Sequence, residues 1–151
     1  MKKEDCIFCK LANGDIPTNS IYEDDDFKVI LDASPAAKGH ALILPKEHFA
    51  DLFEMDEKTG SALLPLAAKV GAHIKSRLSC DGLNVVQNNG AAAGQSVFHL
   101  HVHLIPRFEG DNVIREWNHL TLTDEEQEAI REQLKSELRD CDNNQSQRFK
   151  C

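Results

Sequence analysis

The chain has 151 residues, and its 17 Lys and Arg against 25 Asp and Glu leave a formal charge of −8. That length suits one domain with a substantial core, and 41% apolar with 28% charged residues fits a soluble globular chain rather than a disordered one. A pI near 5.3 with no basic stripe argues against nucleic acid as the main partner. The longest apolar stretches, Ala41–Pro45 and Ala62–Ala68, are too short to cross a bilayer, so no membrane partner is expected. No apolar run follows the charged Met1–Asp5 start, so no secretory signal is expected either. Five cysteines, an odd number spread as Cys6, Cys9, Cys80, Cys141 and Cys151, make a poor disulfide framework and suit a reducing cytoplasm.

In chain order, two extended pieces come first, Ile21–Glu23 and Phe27–Leu31, joined by the acidic turn Asp24-Asp25-Asp26. Gly39 releases a β-prone run, Ala41–Leu44, which Pro45 stops. From about Asp56 to Leu78, Leu63, Leu66, Ala67, Val70, Ile74 and Leu78 recur at helical spacing, with Pro65 marking either a kink or a late start. Asp81-Gly82 signals a turn before a strand at Leu83–Gln87. A Gly/Ala-rich loop, Asn88–Gly94, and a long strand from Val97 to about Arg107 follow. Thr123 with Glu126 makes a capping box, and Ile130, Leu134 and Leu138 form a stripe on a helix ending near Asp140. This final helix is acidic, and the polar segment 143–151 reads as a frayed tail. Strands first, one long helix in the middle and one at the end suggest an α+β fold with a mostly antiparallel sheet.

His99-Leu100-His101-Val102-His103-Leu104-Ile105 is the most informative stretch. On a strand, His99, His101 and His103 share one face while Leu100, Val102 and Leu104 face the core. Three readings compete: a solvated polar edge, a metal site built on neutral imidazoles, and catalysis on phosphate with one ring as nucleophile. The flank favours phosphate. Gly90–Gly94, then Gln95 and Ser96, set backbone N–H groups, an amide and a hydroxyl beside the histidines. The Gly-Lys-Ser/Thr ending of a phosphate-binding Walker loop is missing, so nothing points to a magnesium-dependent ATPase. Cys6-Ile7-Phe8-Cys9 admits a redox pair, two unrelated thiols, or half of a tetrahedral zinc site.

The run Gly94-Gln95-Ser96-Val97-Phe98-His99-Leu100-His101-Val102-His103-Leu104-Ile105 resembles the signature of the histidine triad (HIT) nucleotide-binding family, His-φ-His-φ-His-φ-φ with φ apolar. Matching blocks lie upstream in the same order: Cys6–Cys9, Gly14–Pro17, Gly39–His48 and Asn88. The resemblance covers roughly residues 5–110. It implies a single HIT domain over 1–151: an antiparallel sheet of about five strands with one long helix packed on it, and a C-terminal extension, 111–142, carrying a helix.

It further implies a purine nucleotide substrate. His101 would attack the α-phosphorus to form a nucleotidyl-imidazole, and water would then release the monophosphate, most naturally AMP. His103, His40 and Ser96 would hold phosphate oxygens or serve the leaving group, and His99 would orient the nucleophile. Asn88, Gly94 and Gln95 would line the phosphate pocket, and Asp32 would hold the ribose. The bacterial-type branch that the sequence resembles completes a structural Zn²⁺ site on Cys6 and Cys9 with His48 and His99, and the family's usual form is a homodimer. Alternatives are a dinucleoside polyphosphate hydrolase and a nucleotide-binding regulatory protein with incidental turnover. His73 reads as a surface or packing residue of the long helix, His119 likewise outside the site, and Trp117 as an anchor for the extension. Lys46 and Arg107 could soften the field around an anion.

Overall fold

The computed structural model describes residues 2–113 and 119–141. Trp117, Cys151 and the segment 143–151 lie outside the described residues. Two units are distinguished, Met1–Val113 and Ile114–Cys151. The first unit is an antiparallel five-stranded sheet in the order β1-β2-β3-β5-β4, from β1 (Ser20–Glu23), β2 (Phe27–Leu31), β3 (Ala41–Pro45), β4 (Gly82–Val86) and β5 (Val102–Arg107). Two helices belong to it, α1 (Ile7–Ala12) and the long α2 (Glu57–Leu78). This is the expected α+β architecture.

The β1–β2 turn is held by Asp24, whose Oδ1 accepts from the N–H groups of Asp26 (3.0 Å) and Phe27 (2.7 Å). β2 and β3 alternate between two buried faces. Phe27, Val29, Ala41 and Ile43 join Leu63, Leu66, Ala67, Val70 and Ile74 of α2 in the main core. Ile30, Leu42 and Leu44 face the other way and are covered by Ala12, Phe8 and Leu11 of α1. Strands buried on both faces read as continuous apolar runs, as Ala41–Leu44 does.

α2 starts at the Asp56 N-cap, whose Oδ1 accepts from Thr59 N–H (2.7 Å), and ends at Ser79 in the left-handed region. Pro65 lies inside the helix, so the late start is excluded. It sits on the exposed side of the helix, so the carbonyl of the likewise exposed Ser61, which loses its helical donor, is not buried among apolar groups.

The structure adds two features to the sequence reading and corrects one. α1 carries no signal in the sequence: six residues are too few to show helical periodicity, and the Cys6 thiol acts as its N-cap, Sγ accepting from Cys9 N–H at 3.4 Å. The loop at 88–94 contains a 3₁₀ turn, Ala91–Ala93. The long strand is the third: β5 begins at Val102 rather than Val97. His99 N–H turns back to the Val97 carbonyl (2.9 Å) and Leu100 N–H donates to the Phe49 carbonyl (2.7 Å), so these groups are withdrawn from the ladder. Leu100, Val102 and Leu104 nevertheless all reach the main core as the alternation requires.

In the second unit, α3 (Asp124–Cys141) opens on the expected capping box. Thr123 Oγ1 accepts from Glu126 N–H (3.2 Å), and Glu126 Oε2 accepts from Thr123 N–H (2.8 Å). No helix among the described residues is long and apolar enough to cross a membrane.

Candidate functional site

The register places the histidines on the α1 side of the sheet. His103 pairs with Leu42 of the α1-facing cluster, while its neighbour Val102 pairs with Ile43 of the main core. His101 is buried directly before the strand. Its Nδ1 lies 2.6 Å from the His99 carbonyl oxygen. A carbonyl only accepts, so Nδ1 carries the proton and, in the neutral ring, Nε2 holds the free lone pair. The ring packs near-perpendicular to His103 (centroids 4.9 Å) and to Phe8 (5.0 Å).

A second chain of hydrogen bonds fixes His103. Ala36 N–H donates to His40 Nδ1 (3.0 Å), so the His40 proton sits on Nε2, which donates to His103 Nδ1 (2.9 Å). His103 therefore carries its proton on Nε2, as a donor. Burial pushes its pKa down to about 4, assisted by repulsion from His101 and His40. Burial also lowers the His40 pKa, against the pull of Asp32, whose Oδ2 lies 3.6 Å from His40 Nε2. Asp32, His40 and His103 also bring metal-binding atoms together. The His40–His103 separation is however that of a shared proton, shorter than the about 3.3 Å between two imidazole nitrogens on one zinc ion.

The loop before the histidines is closed on itself. The Gly90 carbonyl accepts from both Ala93 N–H and Gln95 N–H (3.1 Å each), and Gly94 takes the left-handed conformation at φ 87°. Asn88 Nδ2 lies beside Gly94, 3.7 Å from where a Cβ would stand. Gln95 departs from the expectation that its amide faces phosphate. It is buried; Oε1 accepts from Gly90 N–H (2.8 Å), and Nε2 donates to the carbonyls of Ala50 (2.7 Å) and Val97 (3.1 Å). Both amide hydrogens are thus engaged in bracing the loop. Ser96 is exposed and, with Cys6, His48 and Phe98, lines a cavity of about 340 Å³.

The His99 ring also lies on the α1 side, but it turns toward Cys6 and Cys9. Its Nε2 donates to the Pro45 carbonyl (3.0 Å), which leaves Nδ1 as a lone pair. That nitrogen lies 3.4 Å from Cys6 Sγ, 3.4 Å from Cys9 Sγ and 3.3 Å from His48 Nδ1, and Cys9 Sγ lies 3.4 Å from His48 Nδ1. A zinc ion with bonds of about 2.3 Å to sulfur and about 2.05 Å to nitrogen sets tetrahedral edges of about 3.6 Å (S–N) and about 3.3 Å (N–N). These four separations come within about 0.2 Å of those edges. Burial lowers the His99 pKa to about 4 and also lowers that of His48, so both rings are uncharged ligands at neutrality. Burial pushes the Cys9 thiol up, against the smaller opposing effects of the Lys3 N–H and the Lys2 charge.

Some participants were not legible beforehand. The carbonyls of Pro45 and Phe49 and the N–H of Ala36 carry no side-chain signal at all. Phe8 does: it sits between the two cysteines of Cys6-Ile7-Phe8-Cys9. His73 is exposed on α2. Arg107 is tied to Asp111 and Asn84, and Lys46 to Glu23 (2.9 Å), so both cations are already paired.

A HIT domain match spans residues 13–110. The adenosine 5′-monophosphoramidase hnt1 of Schizosaccharomyces pombe is 36% identical over 135 residues, 89% of this chain and 98% of that protein. The adenylylsulfatase HINT3 of Arabidopsis thaliana is 41% identical over 109 residues, 72% of this chain and 55% of that protein. Among solved structures, SMU.412c from Streptococcus mutans UA159 superposes with a TM-score of 0.85 at 38% identity, covering 90% of this chain and 87% of that one. A Zn-bound histidine triad family protein from Mycobacterium smegmatis gives 0.69 at 34% identity, covering 87% and 96%. With a family match over residues 13–110, and with the phosphoramidase and the Streptococcus mutans structure matched over nearly the length of both partners, the chain belongs to the histidine triad (HIT) family.

Proposed function

We propose that the protein hydrolyses purine nucleoside phosphoramidates or related nucleotidyl esters and releases the nucleoside monophosphate, AMP from an adenosine substrate. The observation that carries this reading is the 2.6 Å contact from His101 Nδ1 to the His99 carbonyl, which dedicates the opposite nitrogen to nucleophilic attack. His101 Nε2 attacks the α-phosphorus and the P–N bond to the leaving amine breaks, the amine taking a proton from solvent. Water then attacks the phosphorus and returns a proton to solvent, the P–Nε2 bond breaks, and the ring keeps its Nδ1 proton throughout. His103, uncharged and protonated on Nε2, donates to a non-bridging oxygen, and His40 holds it in that tautomer. The exposed Ser96 hydroxyl and the Asn88 amide serve the same oxygens, Gly94 and Gln95 shape the loop, and Asp32 receives the ribose hydroxyls. The relatives named as a phosphoramidase and an adenylylsulfatase support a nucleotidyl substrate with a variable leaving group.

Cys6, Cys9, His48 and His99 hold a zinc ion in this reading. When bound, it cross-links α1, the segment after β3 and the bend before β5, and no step of the chemistry passes through it. The working form is a homodimer, for which β4 offers an edge strand with Val85 half exposed.

Turnover of adenosine 5′-phosphoramidate, adenosine 5′-phosphosulfate and a diadenosine polyphosphate is the test, with acid quench to trap the adenylylated protein. Fast phosphoramidate cleavage with label on His101 is expected. Preference for the dinucleotide would keep the mechanism and replace the substrate class. Binding of AMP with no turnover of any of the three would overturn the catalytic reading.

A further inference from the structure

Cys6 and Cys9 both face His99, yet they differ in access. Cys6 is partly exposed and lines the cavity of about 340 Å³ with Ser96 and Phe98, whereas Cys9 is fully buried. Lys3 N–H donates to Cys9 Sγ (3.4 Å), so the segment before α1 covers that sulfur. A small polar oxidant entering the cavity therefore meets the Cys6 sulfur first, with Cys9 behind it.

The two sulfurs are also close enough to join. They and the nitrogens of His48 and His99 lie within 4.8 Å of one another. A disulfide needs about 2.05 Å between sulfurs, so one of them has to move. Cys6 can supply that movement, because it stands at the extended N-cap position of α1 (φ −88°, ψ 120°), outside the helical turn that holds Cys9. An accessible thiolate backed by a second sulfur is the arrangement in which peroxide oxidation ends as a disulfide rather than as a higher acid.

We infer that Cys6 and Cys9 are a peroxide-responsive modification site: hydrogen peroxide converts the pair to a disulfide, and zinc is released as its sulfur donors are lost. The Cys6 thiolate attacks one peroxide oxygen and the O–O bond breaks, giving the Cys6 sulfenic acid and hydroxide. The Cys9 thiolate then attacks the Cys6 sulfur, the S–O bond breaks, and a second hydroxide leaves. Both sulfurs are oxidised and the peroxide is reduced. His99 Nδ1 loses its partners in a buried place, while the carbonyl of the same residue still carries His101. An unpaired buried ring nitrogen favours rearrangement of that bend, so oxidation disturbs the nucleophile through its support. This rests on the zinc and nucleophile readings given above.

The test treats the full chain, loaded with zinc, with hydrogen peroxide while a chromogenic chelator reads released metal. Trypsin cuts after Lys3 and Lys10, so both cysteines travel on one peptide, 4–10, where the disulfide shows as the loss of two hydrogens. Metal release and the lighter peptide are expected to rise together, and dithiothreitol with added zinc to reverse both. Turnover of adenosine 5′-phosphoramidate is expected to fall about tenfold and to recover on reduction. In Cys9→Ser the reaction should stop at the Cys6 sulfenic acid, captured by dimedone. A reduced peptide and retained metal, at peroxide that fully oxidises glutathione, would overturn the inference, as would a disulfide with turnover unchanged. Because mass and metal need no substrate, a wild type without turnover would sink the catalytic reading while still deciding the modification. A disulfide closing in protein that never carried metal would sink the zinc reading alone.

Discussion

The His99 carbonyl oxygen accepts a 2.6 Å hydrogen bond from His101 Nδ1, while the His99 ring turns its own Nδ1 toward Cys6 and Cys9. One residue thus orients the candidate nucleophile with its backbone and closes the candidate zinc site with its side chain.

Replacing His101 with Ala should lower kcat for adenosine 5′-phosphoramidate by at least about three orders of magnitude, because no neighbouring group can supply the covalent step. AMP affinity, measured by calorimetry, should change by less than about tenfold. Turnover within a factor of ten of wild type would show that water attacks directly.

His40→Ala removes the acceptor of Ala36 N–H and the donor to His103 Nδ1. Leaving such groups unpaired costs about 1–3 kcal/mol, readable in urea unfolding. Because His103 then loses its fixed tautomer, kcat should also fall about 10- to 100-fold.

The low pKa of His103, about 4, sets the sign of a pH effect. Between about pH 6.5 and about pH 4 the unfolded ring binds a proton that the folded ring refuses, so stability rises with pH in this window. It is lost as acid is added from neutrality. His103→Gln should flatten that slope by up to one proton, ~1.4 kcal/mol per pH unit, in unfolding curves taken at pH 7, 6 and 5. His40, whose pKa is also lowered by burial, retains its share of the slope.

Purified protein should carry about one zinc per chain by elemental analysis, and Cys9→Ala should lose it. Cys9 is fully buried and ligand loss opens a bridge between α1 and the His99 bend, so the thermal midpoint should drop in the variant and in chelator-treated wild type alike. Protein prepared without chelator and free of metal would contradict the zinc reading.

Gly39 has φ 85°, and a Cβ there would run into Leu78 Cδ1 at the end of α2. Gly39→Ala combines backbone strain with overpacking and should cost at least about 2 kcal/mol. As Gly39 precedes His40, the damage should reach activity as well as stability.

The sheet, the long helix and the chemical types in the site are legible in the chain's own pattern, because they depend on stretches a few residues long. Short β-prone runs such as Phe27–Leu31, the Thr123–Glu126 capping box and the three alternating histidines are local, and each local preference agrees with the final fold. Tertiary structure decided the rest. A tautomer is set by the partner on the opposite ring nitrogen, and those partners are backbone groups of Ala36, Pro45 and His99 that no side-chain pattern announces. The bend that cuts β5 short arises because Leu100 N–H finds the Phe49 carbonyl, a contact made only once β3 and β5 are paired. Gln95 turns inward because a buried amide must satisfy its donors, and the carbonyls of Ala50 and Val97 are within reach. The four zinc-ligand candidates are up to 93 residues apart in the chain, and only packing of α1 against the sheet brings Cys6 to His99.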